Sequence, residues 1–143
     1  MIAAIVGSRD FNDYNKLCNF IYKTCIDENY SIREIVSGGA RGADKLGEQF
    51  ARNYNLSLKV YEADWEKYGK RAGFVRNVDI IKYCDICFAF WDGESHGTKH
   101  DIELCEQYGK PCYICYYKNN EFCHTSEKCS YYQKNHKRQH GFR

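Results

Sequence analysis

Residues 37–44, SGGARGAD, set three glycines, an arginine and an aspartate between an apolar run, EIV, and the helix-patterned KLGEQFARNY. Where a strand turns into a helix, the first helical N–H groups lack intrahelical partners and attract anions, phosphate above all. Gly38, Gly39 and Gly42 allow close approach to the backbone. Arg41 adds a planar, permanently charged donor, and Ser37 and Asp44 bracket the loop. The same residues also fit a tight turn in which glycine serves packing alone. A second stretch, WDGESHGTKHD (91–101), repeats the theme: Gly97-Thr98 begins a helical pattern behind Asp92 and Ser95. Asp101 follows, where a carboxylate in a first helical turn would also serve as a plain helix cap. Ser95 and His96 also fit a solvated loop. Arg76-Asn77 sits on a helix that otherwise faces a core. An unpaired buried guanidinium is costly, so Arg76 is expected to reach a crevice or a carboxylate. Trp65, Tyr68 and Trp91 flank these loops and suit either stacking on a base or packing as a lid.

The elements that must position these residues alternate. Ile2–Val6, Ile32–Val36, Leu58–Glu62, Asp85–Trp91 and Pro111–Tyr117 read as strands. Between them, residues 13–28, 42–54, 72–83 and 98–108 carry apolar side chains at helical spacing. Asn12 or Asp13 would cap the first helix and Thr98 the last. In the third, Phe74, Val75, Val78 and Ile80 or Ile81 are expected on the buried face. This βαβαβαβαβ order predicts an α/β Rossmann-like three-layer sandwich with a five-stranded, mainly parallel sheet. Ligands bind such sheets at the carboxyl ends of the strands, where strand order reverses. Four loops leave that edge, GSRDF (7–11), SGGARGAD, ADWEKYGKRAG (63–73) and WDGESHGT (91–98), and all are glycine-rich or polar. None matches a P-loop or a G-x-G-x-x-G fingerprint.

The bulk composition excludes several classes. At 143 residues with a net charge of +2, the chain is about one domain without a strong nucleic-acid charge signature. No signal peptide or membrane span is read. Nine cysteines without a secretory signal imply reduced thiols in a cytoplasm. Cys18, Cys25 and Cys105 read as buried helical residues, and Cys84 and Cys87 as core. Residues 1–117 form the expected domain. Residues 118–143 form a basic extension with six Lys or Arg against two Glu, hence +4, leaving −2 for the rest. Cys112, Cys115, Cys123, His124, Cys129, His136 and His140 are of zinc-ligand type. Cys112 and Cys115, three apart on a strand, face opposite ways, and the tail spacing is long for a zinc finger. No metal and no cofactor is expected.

The motifs VGSRDF, SGGARGAD, ADWEKYGKRAGFVRN and WDGESHGTKHDI, in this order and spacing, resemble the YspA-like branch of the SLOG superfamily over residues 2 to about 115. The superfamily includes LOG phosphoribohydrolases, the DNA-processing protein DprA and ligand-sensing domains of antiphage systems. The resemblance implies a Rossmann-like fold that binds nucleotides or their derivatives. It implies a phosphate-binding loop at Gly38, Gly39, Arg41 and Gly42, a first-strand loop at Gly7, Ser8 and Arg9, and a second glycine turn at Gly97 and Thr98. LOG enzymes carry Gly-Thr-x-x-Glu at that turn, with Glu as catalytic acid. This chain has Asp101 there, one methylene shorter, and DGESHG where LOG enzymes have a PGG. Arg76 is the nearest match to a LOG arginine.

Three functions are therefore open. The first is binding of an ADP-ribose or cyclic ADP-ribose type of molecule, as sensor or sequestering sponge. The second is N-glycosidic hydrolysis of a nucleoside monophosphate, with Asp101 as acid and Arg76 positioning the ribose. The third is nucleic-acid binding through the basic tail. The resemblance also implies a homo-oligomer.

Overall fold

The computed structural model describes residues 1–118 and the backbone of residues 121–123. Six strands form one sheet in the order β3-β2-β1-β4-β5-β6. They are β1 (Ile2–Gly7), β2 (Glu34–Ser37), β3 (Ser57–Val60), β4 (Ile86–Trp91), β5 (Cys112–Tyr116) and β6 (Glu121–Cys123). The first five are parallel, as the alternation predicts. The sixth, drawn from the C-terminal extension, is antiparallel to β5. The tail cysteines and histidines beyond it lie outside the described residues.

The helices are α1 (Tyr14–Glu28), α2 (Ala43–Asn53), the short α3 (Trp65–Tyr68), α4 (Ala72–Tyr83) and α5 (His96–Gln107). Asp13 caps α1 by accepting from the Lys16 N–H at 3.0 Å. The sheet separates two cores. Leu17, Phe20 and Ile21 of α1 and Phe50 and Ala51 of α2 pack with Ile5, Phe88, Phe90 and Tyr113 on one face. Ile80 and Ile81 of α4 and Ile102, Leu104 and Cys105 of α5 pack with Val6, Ala89, Trp91 and Ile114 on the other. Strand β4 is buried along its whole length because both layers cover it. Cys112 and Cys115 fall in opposite cores, as strand alternation requires. Cys18 and Cys25 are only half-buried, and the seven cysteines described are free thiols.

Several boundaries differ from the sequence reading. The stretch 63–73 is not a plain loop: it holds α3 and a 3₁₀ turn, Gly69–Arg71, before α4. Phe74 is exposed, and Asn77 is buried in its stead with Ile80 and Ile81. Helix α5 starts at His96 rather than Thr98, with Ser95 at its N-cap position. The cause is Asp92, whose Oδ1 accepts from the N–H groups of Glu94 and Ser95, each at 2.8 Å, and tightens the loop.

Strand order reverses between β1 and β4, so the chain leaves these neighbours towards opposite sides and opens a crevice at their carboxyl ends. Ser8 binds the crevice walls together. Its N–H donates to the Phe90 carbonyl at 2.9 Å, its carbonyl accepts from Ala43 N–H at 3.3 Å, and its Oγ accepts from Asp92 N–H at 3.2 Å. Gly42 makes this closeness possible. Its φ is +83°, and a Cβ there would lie 2.4 Å from the Ser8 carbonyl oxygen. Both the left-handed backbone and the clash with main chain oppose any side chain. Gly42→Ala is expected to lower unfolding free energy by about 2 kcal/mol or more, read from urea titration. An unchanged midpoint would show that the turn can open at little cost.

Candidate functional site

The crevice holds a cavity of about 450 Å³. Gly7, Ser8 and Arg9 enter it from the end of β1, Ala40, Arg41 and Asp44 from the β2–α2 loop and first turn of α2, and Arg76 and Asn77 from α4. Asp92, Ser95, Gly97, Thr98 and Asp101 complete it from the β4–α5 loop and α5. Arg9 and Arg41 are exposed, and Arg76 is partly buried.

The remaining expected residues serve the walls. Ser37 is buried below the loop, where its Oγ donates to the Asp44 carbonyl at 3.1 Å and accepts from Gly39 N–H at 3.3 Å. Gly38 and Gly39 line an adjoining chamber with Trp65. Gly38 must lack a side chain, since a Cβ would stand 2.8 Å from Asp44 Oδ2 and 3.1 Å from Arg76 Cδ. Gly42 shapes the turn, as described. Trp91 does not line the cavity: it lies in the core, tilted against Tyr116, with its indole N–H donated to the Ser95 carbonyl at 3.0 Å. Of the aromatic residues singled out from the sequence, Trp65 lines one of these two chambers, and Tyr68 and Trp91 line neither.

Arg76 reaches across the crevice as expected. Its guanidinium donates to the Gly38 carbonyl at 3.1 Å. Two acids face the same place from opposite layers, Asp44 on α2 and Asp101 on α5. Asp44 Oδ2 accepts from Ala40 N–H at 3.2 Å. Asp101 lies beyond the first turn of α5 and is buried, so it does not cap the helix. Its Oδ1 and the Nε of Arg76 have no hydrogen-bond partner among the described residues. Asn77 Nδ2 stands 3.2 Å from Nδ1 of His100, which packs on Phe74.

The chain matches a family described as YspA, cpYpsA-related SLOG over residues 1–68. It is also 33% identical over 113 residues to the Gene 61 protein of Mycobacterium phage D29, an alignment covering 75% of this chain and 90% of that protein. The chain belongs to the YspA, cpYpsA-related SLOG family. Among solved structures, DNA processing protein A from Helicobacter pylori, studied for its single-stranded DNA binding mode, matches with a TM-score of 0.56 at 22% identity. The match covers 80% of this chain and 64% of that chain, so the present chain spans just under two thirds of the other. At this identity the likeness shows the α/β Rossmann-like fold. The family match spans the Gly7–Arg9 and Gly38–Gly42 loops, while Arg76 and Asp101 fall beyond residue 68.

In this SLOG site the two acids hold protons more tightly than free carboxylates do. Burial pushes Asp44 up to about 7, against the pull of the Ala40 N–H and Arg76, with Glu48 raising it further. Burial also raises Asp101 well above the usual range, helped by the negative charge of Asp44 and opposed by Arg76. Two carboxyls buried in one site resist double ionisation.

Residues not named individually from the sequence also join the site, Asp10 from within the GSRDF loop and Glu62 from the end of the expected third strand. Asp10 lines the main cavity and Glu62 the adjoining chamber. Tyr117 donates a very short hydrogen bond to Asp10, and Lys118 pairs with the same carboxylate at 3.3 Å. The root of the extension is thus tied to the first-strand loop. Away from the crevice, the sulfurs of Cys87, Cys105 and Cys112 meet in the α4/α5 core within 4.8 Å of one another. Cys87 and Cys112 are register partners on β4 and β5. Parallel pairing placed them together, which no spacing in the sequence indicates.

A carboxyl whose folded pKa is raised binds protons that the unfolded chain has released, so its contribution to stability falls as pH rises from about 4 towards and past 7. Asp101→Asn removes that penalty. The variant is expected to melt above the wild type at pH 8, with the gap closing towards pH 5. A variant that melts lower at pH 8 would show that the Asp101 carboxylate is stabilised in the folded protein.

Proposed function

We propose that this chain binds a phosphate-bearing nucleotide derivative of ADP-ribose or cyclic ADP-ribose type and acts as its sensor or sequestering sponge. One observation carries the reading. Arg9, Arg41 and Arg76, Gly7 at the end of β1 and the first turn of α5 converge on a single cavity at the strand-order reversal. Guanidinium groups and helix-start N–H groups are the protein's main phosphate donors. Arg76 Nε and Asp101 Oδ1, buried without partners among the described residues, supply one donor and one acceptor for such a molecule. Membership of a SLOG family supports the same ligand class.

A second reading, hydrolysis of an N-glycosidic bond in a nucleoside monophosphate, rests on Asp101. A general acid must hold a proton near neutral pH and face the substrate. Asp101 lines the cavity and its proton is retained by burial. In this reading Arg76 positions the ribose. Single-stranded DNA binding, the property studied in the Helicobacter protein, ranks third. It would appear as an affinity falling steeply with added salt.

We further propose that the protein works as a homo-oligomer in the cytoplasm without a resident metal or cofactor. No helix among the described residues is long and apolar enough to cross a membrane.

The deciding measurement is incubation with AMP, NAD, ADP-ribose and cyclic ADP-ribose, followed by heat release and mass spectrometry. Intact ligand in near-stoichiometric amount is the expected result. A free base with ribose phosphate would establish the hydrolase instead, and Asp101→Asn should then abolish turnover while keeping most of the binding.

A further inference from the structure

The main cavity has a neighbour. A more open chamber of about 610 Å³ adjoins it above the ends of β2 and β3. Arg9, Ala40, Arg41 and Arg76 line both. The cations lining either chamber are the same three arginines, and all three stand at the shared wall. The acids lie to either side. Asp44 and Asp101 line only the inner chamber, and Glu62 only the outer one.

This charge layout describes its ligand. Negative charge belongs in the middle, against the arginines. Neutral groups rich in hydroxyls belong at each end: the inner acids, which hold their protons, exchange hydrogen bonds with O–H groups and offer an anion no cation, and the outer carboxylate accepts from O–H groups and repels a second anion. A nucleoside monophosphate has one such end and would leave the outer chamber to water. A molecule esterified on both sides of a diphosphate has two.

Glu62 is built to read the outer end. It follows β3, is exposed, and has no hydrogen bond or ion pair among the described residues. Gly39 lies beneath it: a Cβ there would meet Glu62 Cγ at 3.5 Å. The carboxylate is thus free on the chamber side, and its two oxygens match a vicinal diol. Trp65, 57% exposed, supplies a flat wall beside it. An indole face suits a sugar or a base.

We propose that the ligand is a two-ended diphosphate ester, a sugar-linked nucleoside diphosphate by class, and that Glu62 selects it by accepting from the hydroxyls of the sugar in the outer chamber. This rests on the nucleotide reading above and assigns a second subsite to it.

The test is calorimetric titration of wild type and Glu62→Gln with AMP, ADP and ADP-ribose. Melting curves check that the variant is folded, which the exposed position of Glu62 favours. The wild type should bind ADP-ribose about tenfold more tightly than AMP, the scale of one charge-assisted hydrogen bond in a preformed site. Glu62→Gln should remove most of that advantage while leaving AMP and ADP no weaker. Removing a negative charge near an anion site should by itself tighten every anionic ligand, so a loss confined to ADP-ribose identifies a direct contact. If AMP and ADP-ribose bind alike and the variant changes neither, the second subsite is overturned and the nucleotide reading stands. If none of the three binds the wild type, both are overturned.

Discussion

The Arg76 guanidinium is the interaction on which the crevice depends. It leaves α4, in one helical layer, and donates to the carbonyl of Gly38, at the end of a central strand. In doing so it sits beside two carboxyls that arrive from opposite layers. Without it, Asp44 and Asp101 would lose the cation that lowers both of their pKa values. With it, the glycine loop is pinned, and the lack of a side chain at Gly38 becomes a requirement, since its place is taken by Asp44 and Arg76. Loop shape and charge layout thus follow from one long side chain crossing the sheet edge.

How much of this was visible in the sequence depends on how local the cause is. The alternation of strand and helix was readable because each element carries its own period. Strand β4 is the clearest case: ICFAFW is apolar throughout, and only a strand covered on both faces can be so. The failures lie where a distant residue or a small loop motif decides. Phe74 fits the apolar stripe of α4 by type, yet it is exposed and packs on His100, while Asn77 takes the buried position and approaches the same ring. The start of α5 moved two residues because Asp92 folds the loop onto itself.

The site was legible to the same degree. Glycine, arginine and helix-start residues announce themselves by type, and most of those singled out line one of the two chambers. Trp91 does not, because a tryptophan at the end of a buried strand belongs to the core, and its N–H finds a carbonyl there. Glu62 carried no signal, and Asp10 only that of the GSRDF loop that holds it. A single acid after a strand or in a loop is ordinary, and only the folded arrangement shows what it faces. The three-cysteine group is the same kind of case, since register rather than sequence spacing brings β4 and β5 sulfurs together.

Asp101 shows why a site can be unlike its own surroundings. Read as a first-turn residue, it would stabilise α5 through the helix dipole. In the fold it lies deeper, buried, with one oxygen unpartnered among the described residues and its proton held by burial and the Asp44 charge. Such a group costs stability wherever the unfolded chain would ionise it, so helix capping cannot account for it. Asp101 Oδ1 and Arg76 Nε have no partner among the described residues and line one crevice, so a molecule bound there can pair with both. The same two atoms, a buried donor and a buried acceptor lining one crevice, are the ones a ligand would pair with, and that places a cost of folding and a gain on binding in a single set of interactions.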